Sequence, residues 1–154
     1  MKRYGYDWAG LWLINAHNGL KSKGIKPVDI NDYPAIKEWL DNGGVAYNGK
    51  MYKGFSQIEK RSDRGDTPYN LRNCAYMEDF SKPKIVWGNL NLTASYAMVQ
   101  DNSFINAPSP VIVPASKFLL AVLNSKLADY YIRQLGVTRN GGYFEYKPDR
   151  KSVV

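Results

Sequence analysis

The stretch from Pro114 to Gly136 restricts this chain more than any other. Ser116 is a helix-capping residue and Gly136 a helix stop. Between them the apolar spacing predicts one long helix over 117–135. Leu120, Leu123, Leu127, Tyr131 and Leu135 share one stripe, widened by Leu119 and Val122. Asp129 and Arg133 stand four apart, off that stripe, where they can pair. A helix with such a face needs a core to dock on. The longest apolar run, Phe118 to Leu123, is six residues, far short of the ~18 that a membrane span needs.

The rest of the chain reads as short strands and turns around that helix. Lys84-Ile85-Val86-Trp87 has the character of a buried strand, with Ser95 to Val99 as its partner. Val111-Ile112-Val113 makes a third β run, fenced by Pro108, Pro110 and Pro114. Leu11 to Ile14 reads as a further strand, and Tyr143 to Lys147 alternates like a last one. A shorter helix is expected over 32–40: Asp32 or Tyr33 caps it, Pro34 suits its first turn, and Gly43-Gly44 stops it. Its Ile36, Trp39 and Leu40 face one way. Asn48-Gly49 between extended triplets predicts a hairpin whose two turn residues take positive φ. Residues 59–68 and 138–142 read as loops. Short strands with segregated helices make an α+β fold, a small mixed or antiparallel sheet with packed helices. A length of 154 residues fits one domain over 1–154.

Residue counts close off whole classes of chemistry. One cysteine, Cys74, allows no internal disulfide and no thiolate zinc site. One histidine, His17, excludes two-histidine metal motifs, and its setting, Asn15-Ala16-His17-Asn18-Gly19, is that of a solvated loop. Lys and Arg number 21 against 14 Asp and Glu, a net charge of +7. That balance points to a polyanionic partner, most often nucleic acid. The excess is dispersed, 12 basic and 8 acidic residues in the first half and 9 and 6 in the second, so folding has to gather any patch. Twelve Tyr and four Trp, several beside basic residues, could stack on a nucleic acid. Behind Lys2 and Arg3 there is no apolar stretch, so no signal peptide is read and a cytoplasmic location is expected.

Catalytic motifs are missing one after another. There is no G-x-G-x-x-G, no G-x-x-x-x-G-K, no G-x-S-x-G and no Asn-Pro-Pro-Tyr tetrapeptide. Pro148-Asp149 resembles the start of a metal-nuclease motif with too little chain after it. Asp129 with Glu145-x-Lys147 has nuclease-like spacing, although an acid one helical turn from an Arg is more often a surface ion pair. No catalytic, cofactor or metal residue is assigned.

Several strings, taken in order, resemble the TaqI-like C-terminal specificity domain of restriction–modification enzymes. They are Tyr33-Pro34-Ala35-Ile36, Lys60-Arg61-x-Asp63-x-Gly65, Pro68-Tyr69-Asn70-Leu71-Arg72, and the run from Tyr76 through Glu78-Asp79-Phe80-Ser81-Lys82-Pro83-Lys84-Ile85-Val86-Trp87. Leu119 to Leu127, Gly141-Gly142 and Tyr146-Lys147 follow in the expected order. Lys2-Arg3-Tyr4 resembles the tail of the family motif Gly-Arg-Asp-Ile-Lys-Arg-Tyr, so the chain reads as an excised C-terminal fragment of a larger protein. The Asn48-Gly49 hairpin stands outside the family pattern.

That resemblance implies a target-recognition module for double-stranded DNA. It also implies a partner methyltransferase domain that uses S-adenosylmethionine on adenine N6, and Mg where an endonuclease is fused. The module itself would hold no cofactor and not be an enzyme. Phosphate contacts are expected from Lys60, Arg61, Arg64, Arg72 and Lys82, and base readout from the hairpin and from Arg139 and Asn140, because loops reach into grooves. Ile85, Val86, Trp87, Leu120, Leu123 and Leu127 are expected in the core. Two other readings stand beside this one: an interaction domain joining catalytic subunits, and a free-standing metal-dependent nuclease.

Overall fold

The computed structural model describes residues 2–46, 48–106 and 108–146. The chain divides into two compact units, one of residues 12–75 and one formed by the segment up to Leu11 together with everything from Tyr76 onward. The elements are helices α1 (Pro34–Asn42), α2 (Phe55–Ile58), α3 (Lys117–Leu123) and α4 (Lys126–Leu135). The strands are β1 (Gly44–Val45), β2 (Met51–Tyr52), β3 (Lys84–Trp87), β4 (Leu90–Asn91), β5 (Tyr96–Val99), β6 (Val111–Ile112), β7 (Val137–Thr138) and β8 (Phe144–Glu145). Helices packed with three small antiparallel sheets make the fold α+β.

In the unit of residues 12–75, α1 starts at Pro34 after Tyr33 and stops at Gly43, as its punctuation predicts. The Tyr52 ring lies 5.8 Å from Trp39 and its hydroxyl donates to the Leu40 carbonyl at 3.0 Å, which fixes the β1–β2 ribbon to the helix. The hairpin exists, with Val45 opposite Met51, but its turn is not the two-residue form expected. Ala46 N–H donates to the Lys50 carbonyl, Gly49 N–H donates to the Ala46 carbonyl, and Gly49 takes φ +74°. The loop is therefore longer by one residue, with Gly49 in the left-handed region. Tyr47 lies outside the described residues.

The other unit is built on β3, the middle strand of the order β5-β3-β6. All four of its residues are buried, which explains a run without polar alternation. Ile85 and Trp87 meet Tyr96, Leu120, Phe144 and Tyr146 on one face. Val86 meets Ala97 and Val99, with Ile105 behind them, on the other. The strand expected at Leu11 to Ile14 does not form, and these residues are 40–88% exposed.

The long helix over 117–135 is two helices. Asn124 leaves the helical path at ψ 0°, and Ser125, extended at ψ 153°, caps α4 by accepting from Ala128 N–H. The break rotates α4 about its axis. Ile132 packs on the core, while Leu127, Tyr131 and Leu135 are 78%, 64% and 67% exposed. Of the core residues read from sequence, Ile85, Val86, Trp87 and Leu120 are buried, Leu123 is half-buried against them, and Leu127 faces solvent. No helix among the described residues is long and apolar enough to cross a membrane.

Candidate nucleic-acid interface

Between residues 60 and 72 the chain has almost no regular structure, yet its loops are fixed by amide side chains. Asn70 is 1% exposed; its Nδ2 donates to the carbonyls of His17 (3.3 Å) and Val28 (2.9 Å), and its Oδ1 accepts from the Thr67 hydroxyl. Asn18 does the same from its own segment: its Nδ2 donates to Asp66 and Asn73, and its Oδ1 accepts from Asp66 N–H. A bridge pairs Arg64 with Leu71. This scaffold brings three of the expected cations onto one loop system. Arg64 and Arg72 are exposed, with Arg64 Nη1 donating to the Glu59 carbonyl at 3.2 Å. Arg61 turns inward, half-buried, its Nη2 donating to the Asn70 carbonyl at 2.9 Å and its Nε 3.9 Å from Asp63. Lys60 is exposed just after α2. His17 closes a local turn, its Nδ1 accepting from Gly19 N–H at 3.1 Å.

In the other unit, Lys82 is paired with Asp79 at 2.7 Å, and the contact raises the lysine's pKa through that hydrogen bond and the carboxylate's charge. Lys84, two residues on, is fully buried, its ammonium donating to the carbonyls of Phe80 (2.7 Å) and Asp101 (2.8 Å). Desolvation pushes its pKa down. The string from Tyr76 to Trp87 is thus a 3-10 turn over Met77–Ser81 followed by β3, the turn held by Lys82 and Lys84.

Arg139 and Asn140 line an open cleft of about 600 Å³ with Leu90, Thr138, Tyr143 and Glu145. The cleft lies on the β4-β8-β7 sheet, where Glu145 of the middle strand stands between Leu90 and Val137. Arg139 donates to Glu145 Oε2 from both Nε and Nη2, and the carboxylate side chain is 9% exposed against 54% for the arginine. Gly141 and Gly142, both at φ +76°, turn the chain back so that Arg139 N–H meets the Tyr143 carbonyl at 2.7 Å. Sequence reasoning named Arg139 and Asn140 but missed Glu145 as their anchor, because an alternating strand tip gives no sign of which carboxylate is buried.

Of the nuclease-like constellation, the two described acids are both engaged by other partners. Burial works against the Asp129 carboxylate, but hydrogen bonds from Tyr146 (2.6 Å), Ala94 N–H (3.0 Å) and Arg133 (3.2 Å) outweigh it and hold the pKa below the usual carboxylate range. Tyr146 is pushed up to about 12 by burial and by that same carboxylate. Asp129 thus clamps the turn before β5 to α4, while Glu145 is committed to Arg139. Lys147 and Pro148-Asp149 lie outside the described residues, and among the described residues no cluster of His, Cys, Asp and Glu could hold a metal.

Against known proteins, the chain matches the model of one family, described as the TaqI-like C-terminal specificity domain, over residues 16–150. That span runs through both compact units. No curated protein matches it.

Proposed function

The chain belongs to the TaqI-like C-terminal specificity domain family, the target-recognition part of restriction–modification systems, and from that premise we propose that it selects a sequence on double-stranded DNA for a catalytic partner. The family match across residues 16–150 is the observation that carries this reading. The partner we infer is an adenine-N6 methyltransferase domain, which brings S-adenosylmethionine and flips the base; an endonuclease with its Mg would be a further domain of the same system. Lys60, Arg64 and Arg72 contact phosphates. Arg61 stands behind them as a strut, and Lys82 contributes a partly neutralised charge. Arg139 and Asn140 read base edges.

Titrating a labelled duplex at two salt concentrations tests this. Without its partner the chain should bind weakly, at about 10⁻⁴–10⁻⁶ M, with most of the affinity coming from phosphate contacts and a smaller part from base readout. With roughly three to five phosphates neutralised, log affinity should fall against log salt with a slope of about −3 to −4.5. Arg64→Glu combined with Arg72→Glu should weaken binding to all duplexes alike, because phosphate contacts carry no sequence information. Salt-independent binding, or none, favours the second reading, an interaction domain joining catalytic subunits. The observation behind that reading is the outer face of α4, where Leu127, Tyr130, Tyr131 and Leu135 are each at least 64% exposed.

A further inference from the structure

Arg139 differs in kind from the cations of the 60–72 loops. It rests on a carboxylate that is 9% exposed and fixed in the middle strand of its sheet. Two of its five guanidinium N–H groups are spent on Glu145 Oε2, those of Nε and one of Nη2. The remaining three, at the Nη1/Nη2 end, are free of Glu145 and belong to a group whose side chain is 54% exposed. The pairing cancels most of the charge that a phosphate would seek. It leaves a plane of directional donors held at a set angle, with the half-exposed side chains of Leu90 (50%) and Tyr143 (44%) beside it and the Asn140 amide at the rim.

A neutralised, oriented pair of N–H donors suits a neutral acceptor edge better than a phosphate. In the major groove the edge offering two acceptors side by side is that of guanine, O6 and N7. We propose that the Leu90–Tyr143 cleft is a guanine-reading site in which Arg139 makes the base contact and Glu145 is the positioning residue that orients it. This rests on the DNA reading above. In addition to orienting, Glu145 silences Arg139 as a non-specific cation, so selectivity is gained by removing charge.

The test is selection from a randomised duplex library with the whole chain, as wild type, R139A and E145Q, with salt-dependent binding to one random duplex measured in parallel. The wild type should enrich a guanine at one position, and 7-deazaguanine there, which lacks N7, should weaken binding about tenfold or more. R139A should lose that preference and the sensitivity to 7-deazaguanine; its affinity for random DNA should fall slightly, because the Glu145 carboxylate loses the arginine's charge, while its salt slope stays almost unchanged. E145Q keeps the shape and one acceptor but frees the arginine's charge. It should weaken the guanine preference while strengthening binding to random DNA, steepening the salt slope by about 0.9, one further phosphate. A merely structural role for Glu145 would lower affinity for every duplex and leave the slope alone, which would overturn the positioning role. If the wild type enriches a site and R139A enriches the same one, the guanine contact is wrong and the DNA reading stands. Binding with no enrichment by the wild type also overturns the guanine site. Absence of DNA binding by the wild type would instead remove the DNA reading, and this inference with it.

Discussion

Ten apolar residues are buried in the unit that contains β3, among them Ile85, Val86, Trp87, Tyr96 and Phe144; the unit of residues 12–75 buries only Ala16, Ile30 and Ile58 among its described residues. What the second unit buries in their place is amide: Asn70 at 1% and Asn18 at 7%. The first is stabilised by removing apolar surface from water, at about 25 cal/mol per Å². The second depends on many hydrogen bonds of modest net worth, each expensive to leave half-made. Polar networks of that kind specify loop geometry closely, as the proposed presentation of Lys60, Arg64 and Arg72 to phosphates would require. The apolar unit instead gives a rigid sheet on which one ion pair, Arg139 with Glu145, is mounted.

The comparison is tested most severely in the apolar unit. Trp87 is 6% exposed, sits in the main cluster, and donates from Nε1 to the Tyr146 carbonyl at 2.8 Å. Trp87→Ala should cost about 3–5 kcal/mol, read as a shift of the urea midpoint. A loss below ~1 kcal/mol would mean that the core relaxes like the loops do.

In the amide-held unit the decisive substitution is Asn70→Leu, which keeps size and adds apolar surface. If burial of carbon were what stabilises these loops, the variant would be neutral or better. Instead it leaves the Val28 carbonyl without its donor and removes the bond from the Thr67 hydroxyl, while the His17 carbonyl keeps only Val28 N–H, so stability should fall by about 1–3 kcal/mol, chiefly for the unpaired carbonyl. Asn70→Ala should fall by a similar amount, and the likeness of the two values is itself the measurement.

The two units also differ in how legible they are from sequence. β3 and its neighbours announce themselves through short β-branched runs between prolines, and α1 through Pro34 and Gly43-Gly44. Asn70 carries no such mark, since a loop asparagine in Pro68-Tyr69-Asn70-Leu71-Arg72 looks the same whether solvated or buried. The break after Asn124 was available as a signal: two cap-forming residues side by side, followed by an acid in the next turn, Asp129. Periodicity overrode it, because 120, 123, 127 and 131 fall in line only when the helix is continuous. Asn124 is itself a buried amide, accepting from Tyr96 N–H and donating to the Tyr96 carbonyl. Asn70 and Asn124 both lie in strings that resemble the family, so what those strings share at these two places is a pair of backbone-gripping amides. For the candidate site, the exposure of Lys60, Arg64 and Arg72 agrees with their place in a charged loop, whereas the burial of Glu145 was not legible, since it follows from strand pairing.

Asp129 brings a charge into the apolar unit, and so adds pH dependence. Its pKa is depressed in the folded chain, so its contribution is present above the unfolded value near ~3.9 and disappears as pH falls through the lower folded value. Asp129→Asn should cost about 1–2 kcal/mol at neutral pH, from weakened bonds to Tyr146 and Arg133. It should also flatten the acid limb of stability against pH. Melting both proteins across the acid range checks this, and parallel curves would mean that the carboxylate is not ionised by virtue of its partners.

The smallest expected effect separates the observed helices from the continuous helix that periodicity implies. On a single helix over 117–135, Leu127 lies mid-stripe beside Leu120 and Leu123, and its truncation costs about 2–5 kcal/mol. With Ser125 capping a separate α4, the leucine is 78% exposed and has little to lose. Leu127→Ala should therefore change stability by less than ~0.5 kcal/mol, while Leu120→Ala, at 9% exposure in the main cluster, should cost the full ~2–5 kcal/mol. Ser125→Ala sharpens the contrast, since a continuous helix would gain from alanine at that place and a capped one should lose about 0.5–2 kcal/mol. If Leu127→Ala proves as costly as Leu120→Ala and Ser125→Ala is stabilising, α4 is turned with its apolar face inward, and the outer face that supports the interaction-domain reading does not exist.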